Sequence, residues 1–325
     1  MTALSPRNLG LDLVRATEAA ALVAGRWMGL GRRDEADDEA GVAMLRALNT
    51  LDMDGRLAVG EEGRRANAPL RSGQRVGTGS GPAMDVVADP IDGRNLLAQG
   101  RSGAIAVAAV APRGSMWTPS PAVYMEKIVV DRQVAPHLVP ECMGAPAAWT
   151  LALVARVKGK LVRDLVVFVL DRERHRDLVE EIRTAGARVM LSTDGDIAGA
   201  IMAATHTAQI DLMLGIGGVS EGVIAACAVK ALGGAMLGRI APQSEAERVA
   251  VAGAGLDTRN VLTCDTIVSS KQIFFAATGI TDGPLLGGVR YAAGRAESES
   301  IILRGETGTR RRIHAEHLLS EKGLS

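Results

Sequence analysis

The chain has 325 residues, of which 47% are apolar and only 2% aromatic. This length exceeds what one small core needs, so we expect two domains or one large layered α/β body, with a core of aliphatic side chains. The 37 Lys and Arg residues are balanced by 37 Asp and Glu residues. The balance excludes the basic excess of a nucleic-acid-binding protein and the single-sign tail of a membrane-surface protein.

The sequence indicates neither a signal peptide nor a membrane-spanning segment. The N-terminal region carries early charges and lacks an uninterrupted apolar core, and no stretch reaches the roughly 18 charge-free apolar residues of a span. The three cysteines, Cys142, Cys227 and Cys264, lie far apart and form no CxxC motif. This pattern predicts neither a disulfide framework nor a zinc site and is typical of a cytoplasmic protein.

The predicted elements alternate between helices and strands. Residues 9–29 predict an Ala-rich amphipathic helix, and "EAGVAMLRALNTL" predicts a second helix soon after it. Short apolar strands are predicted in "GRLAVGEEG", "AMDVVADP", "GAIAVAAVAP" and "AVYMEKIVVD". A buried strand followed by a helix is predicted in "LVVFVLDRERHRDLVEEIRTAG" and again in "QIDLMLGIGGVSEGVIAACAVKALGG". The alternation favours a layered α/β protein.

The chain is expected to form two α/β units. The first comprises residues 1–150 together with 260–325, and the second, residues 151–259, is inserted between them. The reason lies in "QIFFAATGIT" and "SIILRGETGTRRRIH", which read as long strands with no helix between them. Such strands suit the extension of an antiparallel sheet better than a doubly wound one.

Acidic residues gather at predicted strand ends and helix starts. They are Asp37, Glu61, Glu62, Asp85, Asp89, Asp92 and Glu221. Carboxylates from remote parts of a chain can converge on Mg²⁺ or Mn²⁺, which prefer oxygen ligands. Such ions serve an anionic substrate, because they neutralise the charge on a transferred phosphoryl group. Helix caps and a solvated rim explain the same spacing equally well.

Seven segments carry a resemblance to a known family. In order they are "EADDEAGVAM", "VGTGSGPAMDVVADPIDG", "VYMEKIVV", "RERH", "TDGDIAGAI", "LGIGGVSEGV" and "FFAATGITDG". Through them the chain resembles the class II fructose-1,6-bisphosphatases, a branch of the superfamily that includes the inositol monophosphatases. The resemblance implies a five-layer α-β-α-β-α sandwich. It also implies Mg²⁺- or Mn²⁺-dependent hydrolysis of the 1-phosphate of fructose 1,6-bisphosphate to fructose 6-phosphate, as in gluconeogenesis, and in some lineages of sedoheptulose 1,7-bisphosphate.

The resemblance also implies the site residues, motif by motif. The implied metal ligands are Asp37, Glu61, Asp89, Asp92 and Glu221. The implied substrate-binding residues are Asp92, Gly93, Arg94, Tyr124, Arg172, Glu173, Arg174, Asp194, Gly195, Asp196 and Gly218. Without the resemblance, "DRERH" reads as a charged helix start and "TDGD" as a turn. We further expect a homo-oligomer, a dimer or tetramer, with a sugar bisphosphate substrate and no nucleic-acid or membrane partner.

Two departures from the family pattern concern the activation of water. Arg94 stands where the family has a threonine, and no acid lies between Glu62 and Pro69, where the family has an aspartate. Loss of a positioned general base costs about 10²–10⁴-fold in rate. The sequence therefore predicts either a slower phosphatase, with Glu62 and Arg94 as catalytic residues, or a non-catalytic relative that binds sugar phosphates. An inositol-phosphatase-like activity stays open, because Asp92 stands where this branch has glutamate.

Arg94 itself has two possible arrangements. It can turn inward and pair with Asp92 or Glu61, taking the place of one metal ion, or it can contact the substrate phosphate. We favour the inward arrangement, because the surrounding sequence is rich in acids.

Overall fold

The computed structural model describes residues 9–62, 65, 67–206 and 209–319. The α-helices are α1 Leu9–Ala24, α2 Arg33–Leu48, α3 Arg94–Ala98, α4 Ala147–Lys158, α5 Arg176–Thr184, α6 Asp196–Ala204, α7 Val219–Ala231, α8 Glu245–Gly253 and α9 Cys264–Ile267. The strands are β1 Asp54–Val59, β2 Arg75–Val76, β3 Ala83–Asp92, β4 Ile105–Pro112, β5 Tyr124–Val130, β6 Val166–Leu170, β7 Arg188–Ser192, β8 Leu212–Gly218, β9 Ala235–Ile240, β10 Leu262–Thr263, β11 Phe274–Gly279, β12 Arg290–Ala292, β13 Arg295–Arg304 and β14 Thr309–Leu318. Short 3₁₀ helices span Gly25–Trp27, Ala135–His137, Pro140–Met143, Val162–Asp164 and Glu173–His175.

The first sheet is mixed and has eight strands within the described residues. Its order is β12-β13-β11-β4-β3-β1-β2, and β14 pairs with β13. Only the pair β1–β3 is parallel among the strand pairs described for this sheet. The strands β11 to β14 join this sheet as an antiparallel extension, as long strands without intervening helices require.

The second sheet is also mixed, and its order is β10-β9-β5-β8-β6-β7. Strand β6 pairs in parallel with β7 and β8, and the other pairs are antiparallel. Tyr124–Val130 is a central strand of this sheet, whereas the expected first unit extended to residue 150. The chain termini of that unit, residues 1–8 and 320–325, lie outside the described residues. The two-unit division stays a proposal.

Three clusters of buried side chains hold the sheets and helices together. Neighbouring residues of β3 point to opposite faces, so Val86 packs with α1 and α2 while Val87 packs in a cluster that contains side chains of both sheets. Helices α6 and α7 contribute many side chains to that cluster, which also contains Phe275 of the first sheet and Met125 of the second. A third cluster joins α4 and α5 to the second sheet. The many alanines let the backbones approach closely in a core that has few aromatic rings.

The described helices include none that is long and apolar enough to cross a membrane. The three cysteines are free thiols, and all three are buried in these cores. Burial raises the pKa of the Cys227 and Cys264 thiols, so both are protonated and unreactive at neutral pH.

A buried ion-pair network ties the end of α4 to the second sheet. Lys158 Nζ lies 3.1 Å from Asp131 Oδ2 and 3.0 Å from Asp211 Oδ1. Burial alone would raise the pKa of each carboxyl group. Lys158 and His206 outweigh burial at Asp131, and Lys160 and Lys158 outweigh it at Asp211, so both pKa values are lowered. The network therefore stabilises the ionised aspartates.

We expect Lys158→Met to lower the free energy of unfolding by about 3–5 kcal/mol at neutral pH, because two buried carboxylates lose their shared cation. The folded-state pKa values of Asp131 and Asp211 lie below the ordinary value of 3.8. Their stabilisation is therefore present above about pH 4 and is lost as the pH falls through the folded-state pKa values. Urea denaturation between neutral pH and about pH 3 measures the difference between variant and wild type, which should shrink on acidification.

Arg259→Met is the control, because Arg259 is exposed and pairs with Asp257, which is also exposed. It should leave the unfolding free energy nearly unchanged at every pH. An effect of Lys158→Met that is equally large at neutral and at acid pH would contradict the role given to this network.

Candidate active site

Five buried carboxylates approach one another from remote segments. Asp37 lies on α2, Asp89 and Asp92 end β3, Glu61 follows β1, and Glu221 lies in the first turn of α7. Their exposed fractions are 0%, 5%, 3%, 5% and 6%, in that order. All but Asp37 line one polar pocket of about 90 Å³, which Arg33, Arg94, Arg172 and Asp194 also line. The fold thus gathers acids and arginines that the sequence keeps far apart.

The end of β3 explains how the acids and Arg94 come together. Gly93 has φ +99°, a left-handed conformation that favours glycine, and an added Cβ would lie 3.2 Å from Ala104 Cα. The turn at Gly93 brings Arg94, the first residue of α3, back over the pocket. Asp85 does not line this pocket, since its Oδ2 accepts a hydrogen bond from the Met116 amide at 3.1 Å.

Arg94 lies inward, and its partner is Asp37. Arg94 Nη1 donates to Asp37 Oδ2 at 3.3 Å. Arg65 donates to the same oxygen through Nη1. The inward arrangement was expected, but with Asp92 or Glu61 as the partner. The α2 carboxylate therefore faces two guanidinium groups.

The charged groups of this cluster shift one another's pKa values. Burial disfavours the charged form of Arg94, but Asp37, Glu61 and Asp89 outweigh burial and raise the pKa of Arg94. Burial and then Glu61 raise the pKa of Asp37 to about 7, although Arg94 and Arg65 act in the opposite direction. Asp37 Oδ1 is buried and has no hydrogen-bond partner among the described residues.

Asp92 connects the pocket to the start of α6. Its Oδ2 accepts hydrogen bonds from the backbone amides of Ile197 and Ala198, at 3.1 and 3.0 Å. These are amides of the first helical turn, where a carboxylate is stabilised by otherwise unpaired N–H groups. Burial nevertheless raises the pKa of Asp92. One oxygen of this carboxylate is thereby committed to the helix.

The donor chemistry of the pocket suits a hard divalent ion, because the donors are carboxylate oxygens. As placed, the side chains of the described residues include no group of three or more His, Cys, Asp or Glu that could hold a metal ion. Asp37 is paired with guanidinium groups, and Asp92 Oδ2 binds α6. The carboxylates of Glu61, Asp89 and Glu221 suit such an ion in their chemistry, whereas Asp37 is engaged by the guanidinium groups of Arg65 and Arg94.

The loop before α6 holds Arg172 at the pocket. Arg172 Nη2 donates to Asp194 Oδ1 at 3.2 Å, and Asp194 Oδ2 accepts from the Asn95 amide at 3.0 Å. Gly195 has φ +90°, a conformation that favours glycine and allows the turn into α6. Asp194 thus links the arginine to α3, the helix that carries Arg94.

Three of the other expected substrate contacts do not line the carboxylate pocket. Arg174 lies over the ring of Tyr124, 5.2 Å from its centroid, and its Nη2 donates to the Ile216 carbonyl at 2.8 Å. Glu173 pairs with Arg176, and its side chain is 78% exposed. None of Tyr124, Glu173 and Arg174 is among the residues that line the carboxylate pocket. Their substrate roles stay proposals.

Glu62 lies in an adjoining pocket of about 170 Å³, which shares Glu61 with the first. Its carboxylate accepts from the Ser72 amide at 3.1 Å. Burial would raise the pKa of Glu62, but the hydrogen bonds with Ser72 outweigh burial and lower it. A lowered pKa makes this carboxylate a weaker base. Residues 63, 64 and 66 of the departing segment lie outside the described residues.

Comparison with known proteins places this site in a family. The model of the bacterial, glpX-encoded fructose-1,6-bisphosphatases matches residues 7–317. The chain belongs to the class II fructose-1,6-bisphosphatase family. The fructose-1,6-bisphosphatase class 2 of Haemophilus influenzae is 37% identical over 329 residues, covering 97% of each chain. The D-fructose 1,6-bisphosphatase class 2/sedoheptulose 1,7-bisphosphatases of two Synechococcus strains, JA-3-3Ab and JA-2-3B'a(2-13), are each 36% identical over 337 residues, covering 96% of each chain.

The match confirms the resemblance that the motifs indicated. Class II fructose-1,6-bisphosphatases are typically metal-dependent. The carboxylate pocket of this chain, built from segments that carry the family motifs, is therefore its candidate active site.

A buried lysine that was not predicted as a site residue binds two of the expected substrate contacts. Lys127, on β5, is 1% exposed, and its Nζ donates to the carboxylate of Asp196 and to the Gly218 carbonyl, the latter at 3.2 Å. A Cβ on Gly217 would lie 1.9 Å from Asp196 Oδ2, so glycine is needed there. Asp196 and Gly218 were expected to contact substrate. The signal in the sequence was a lysine in the otherwise apolar strand "VYMEKIVV".

We expect Lys127→Met to lower the free energy of unfolding by about 3–5 kcal/mol, because it leaves Asp196 as an uncompensated buried charge. Adding Asp196→Leu to that variant should recover part of the loss, with a coupling energy of about 1–3 kcal/mol. Urea denaturation of the two single variants and the double variant measures this coupling.

Lys271→Met, at an exposed position, serves as the control and should have little effect. Losses that simply add in the double variant would show that the two side chains do not act as a pair.

Proposed function

We propose that the chain is a metal-dependent sugar-bisphosphate phosphatase that hydrolyses the 1-phosphate of fructose 1,6-bisphosphate to fructose 6-phosphate. The observation that carries this proposal is the single polar pocket where Glu61, Asp89, Asp92 and Glu221 meet Arg172. The names of the relatives support the same activity, and those of the two Synechococcus strains support sedoheptulose 1,7-bisphosphate as a second substrate. We also propose a cytoplasmic homo-oligomer, a dimer or tetramer.

We infer the five-layer α-β-α-β-α sandwich from the three core clusters. The proposed order is α1 and α2, the first sheet, α6 and α7, the second sheet, and α4 and α5. The middle cluster supports this order, since it contains side chains of both sheets and of the two central helices. The proposed active site then lies at one end of the central helix layer, where α6 and α7 begin.

In the proposed reaction, the protein binds and orients the phosphate through its cations. When bound, a divalent ion held by Glu61, Asp89 and Glu221 would neutralise charge on the transferred phosphoryl group. Arg172 suits bidentate contact with phosphate oxygens, and Asp194 holds its guanidinium at the pocket. The near-complete burial of the carboxylates limits water in the pocket, which strengthens each of these electrostatic contacts.

A second candidate function is the binding of sugar phosphates without turnover. The observation that favours it is the pairing of Asp37 with Arg65 and Arg94, two cations at a proposed metal ligand. A phosphatase that has kept its activity must move these guanidinium groups or work with fewer metal ions.

Phosphate release distinguishes the two functions. Purified protein with Mn²⁺ and fructose 1,6-bisphosphate should release phosphate well above a metal-free control. Saturable binding of the bisphosphate without release would favour the second function, and neither binding nor release would refute both.

We expect Arg172→Ala to lower kcat/KM for fructose 1,6-bisphosphate by about 10–100-fold, because a charge-assisted contact with the phosphate is lost. Arg176→Ala is the matched control: this nearby arginine pairs with Glu173 at the surface and should leave kcat/KM unchanged. Steady-state kinetics with Mn²⁺ measures both. An unchanged value for Arg172→Ala would remove this residue from the site.

We expect Arg94→Thr to tighten Mn²⁺ binding by about tenfold, because a cation that pairs with Asp37 is removed. Arg33→Thr is the control for affinity: Arg33 lines the same pocket but pairs with Asp34. Titration calorimetry measures both affinities. The same affinity in Arg94→Thr and wild type would show that Arg94 does not compete with the ion.

Arg94→Thr alone should restore little turnover, because the acid expected between Glu62 and Pro69 is still absent. Adding Asn67→Asp should raise phosphate release above that of either single variant. Equal release from all three variants would show that this segment does not activate water.

A further inference from the structure

The free edge region of the first sheet, beside the end of α6, holds a second pocket that the proposed reaction does not use. Its volume is about 300 Å³. Its polar lining consists of Arg310 and Arg312 on β14 and of Thr205 and Gln209 after α6. Its apolar lining consists of Met190, Met202, Ile210, Pro284 and Leu285. None of these residues lines the carboxylate pocket.

Strand geometry puts two arginines on the same face. Arg310 and Arg312 are two residues apart on β14 and lie opposite Leu303 and Ile301, which belong to the cluster between the sheets. Directly paired residues in an antiparallel sheet share a face, so both arginines point toward the second sheet. Arg311 points to the other face of the strand.

The charge of this pair is only partly compensated. Arg312 pairs with Glu299 and donates to the Leu285 carbonyl at 3.1 Å. The side chain of Arg310 forms no hydrogen bond or ion pair with any residue that the structure describes. Burial and the neighbouring Arg312 lower the pKa of Arg310. An anion between the two guanidinium groups would relieve their repulsion.

We propose that this pocket binds a phosphate-bearing small molecule with an apolar part. Arg310 and Arg312 would hold the phosphate, since paired guanidinium groups match its oxygens, and Thr205 and Gln209 offer further hydrogen bonds. The apolar part would pack on Met190 and its apolar neighbours. This site is separate from the proposed active site and does not depend on the proposed phosphatase activity.

The pocket also shares a wall with the loop that holds Arg172. Another cavity, of about 130 Å³, is lined by Asp194 and Gly195 of this loop. It shares four lining residues with the pocket of Arg310 and Arg312, which we call the basic pocket: Met190, Met202, Pro284 and Leu285. A ligand in the basic pocket therefore contacts side chains that support the Asp194 loop.

The test uses the full chain in the Arg172→Ala background without metal, so that binding at the carboxylate pocket is reduced. Titration calorimetry with inorganic phosphate and with phenylphosphonate, which has an apolar ring and is not hydrolysed, measures the affinity. We expect Arg310→Gln to weaken the binding of both probes by at least about tenfold. Arg311→Gln, one position away on the opposite face, is the matched control and should bind both probes as its parent does.

Phenylphosphonate should bind the Arg172→Ala protein more tightly than phosphate does, because its ring reaches the apolar wall. Thermal unfolding of each variant verifies that it is folded. Equal affinities in Arg310→Gln, Arg311→Gln and their parent would overturn the proposal, as would the absence of binding in the parent. A ring that adds nothing to affinity would overturn the apolar part of the ligand class.

Discussion

Contacts at the start of α6 fix how the two sheets are arranged. From the first sheet, Asp92 accepts two amide hydrogen bonds of the first helical turn. From the second sheet, Lys127 pairs with Asp196, the first residue of the helix, and also holds the Gly218 carbonyl just before α7. Buried charges are costly unless they are paired, so these contacts fix one arrangement of the sheets. The carboxylate pocket lies where that arrangement brings β3, α6 and α7 together.

The attraction between Arg94 and Asp37 is close in size to the cost of burying the two charges. Two unit charges 3.3 Å apart, the separation of Arg94 from Asp37, attract by about 5 kcal/mol at an effective dielectric constant of about 20. The desolvation of a buried ion costs several kcal/mol, so the pair gains little net stability. Divalent ions such as Mg²⁺ also prefer carboxylate oxygens. Arg65 and Arg94 therefore occupy an oxygen that such an ion would otherwise attract.

The sequence does not predict which charged side chains pair with each other. The inward turn of Arg94 could be predicted from the acids around it, but its pairing with Asp37 joins residues 57 positions apart. The pairing of Lys127 with Asp196 spans 69 positions. Glu173 lies within a matching motif, yet it points to the surface. Periodicity and motif order identify elements and candidate residues, but they carry no information about which side chains meet when layers pack.

The sequence by itself determined the alternation of helices and strands, the membership of the family and the set of acids available for a metal ion, because these depend on local pattern and motif order. Only the tertiary structure decided that Tyr124–Val130 lies within the second sheet, that Asp37 faces two arginines, and that Arg310 and Arg312 line a separate pocket. Each of these depends on how strands pair and on which face a helix covers. Those choices are set by the burial of apolar surface over the whole chain, and no short segment contains them.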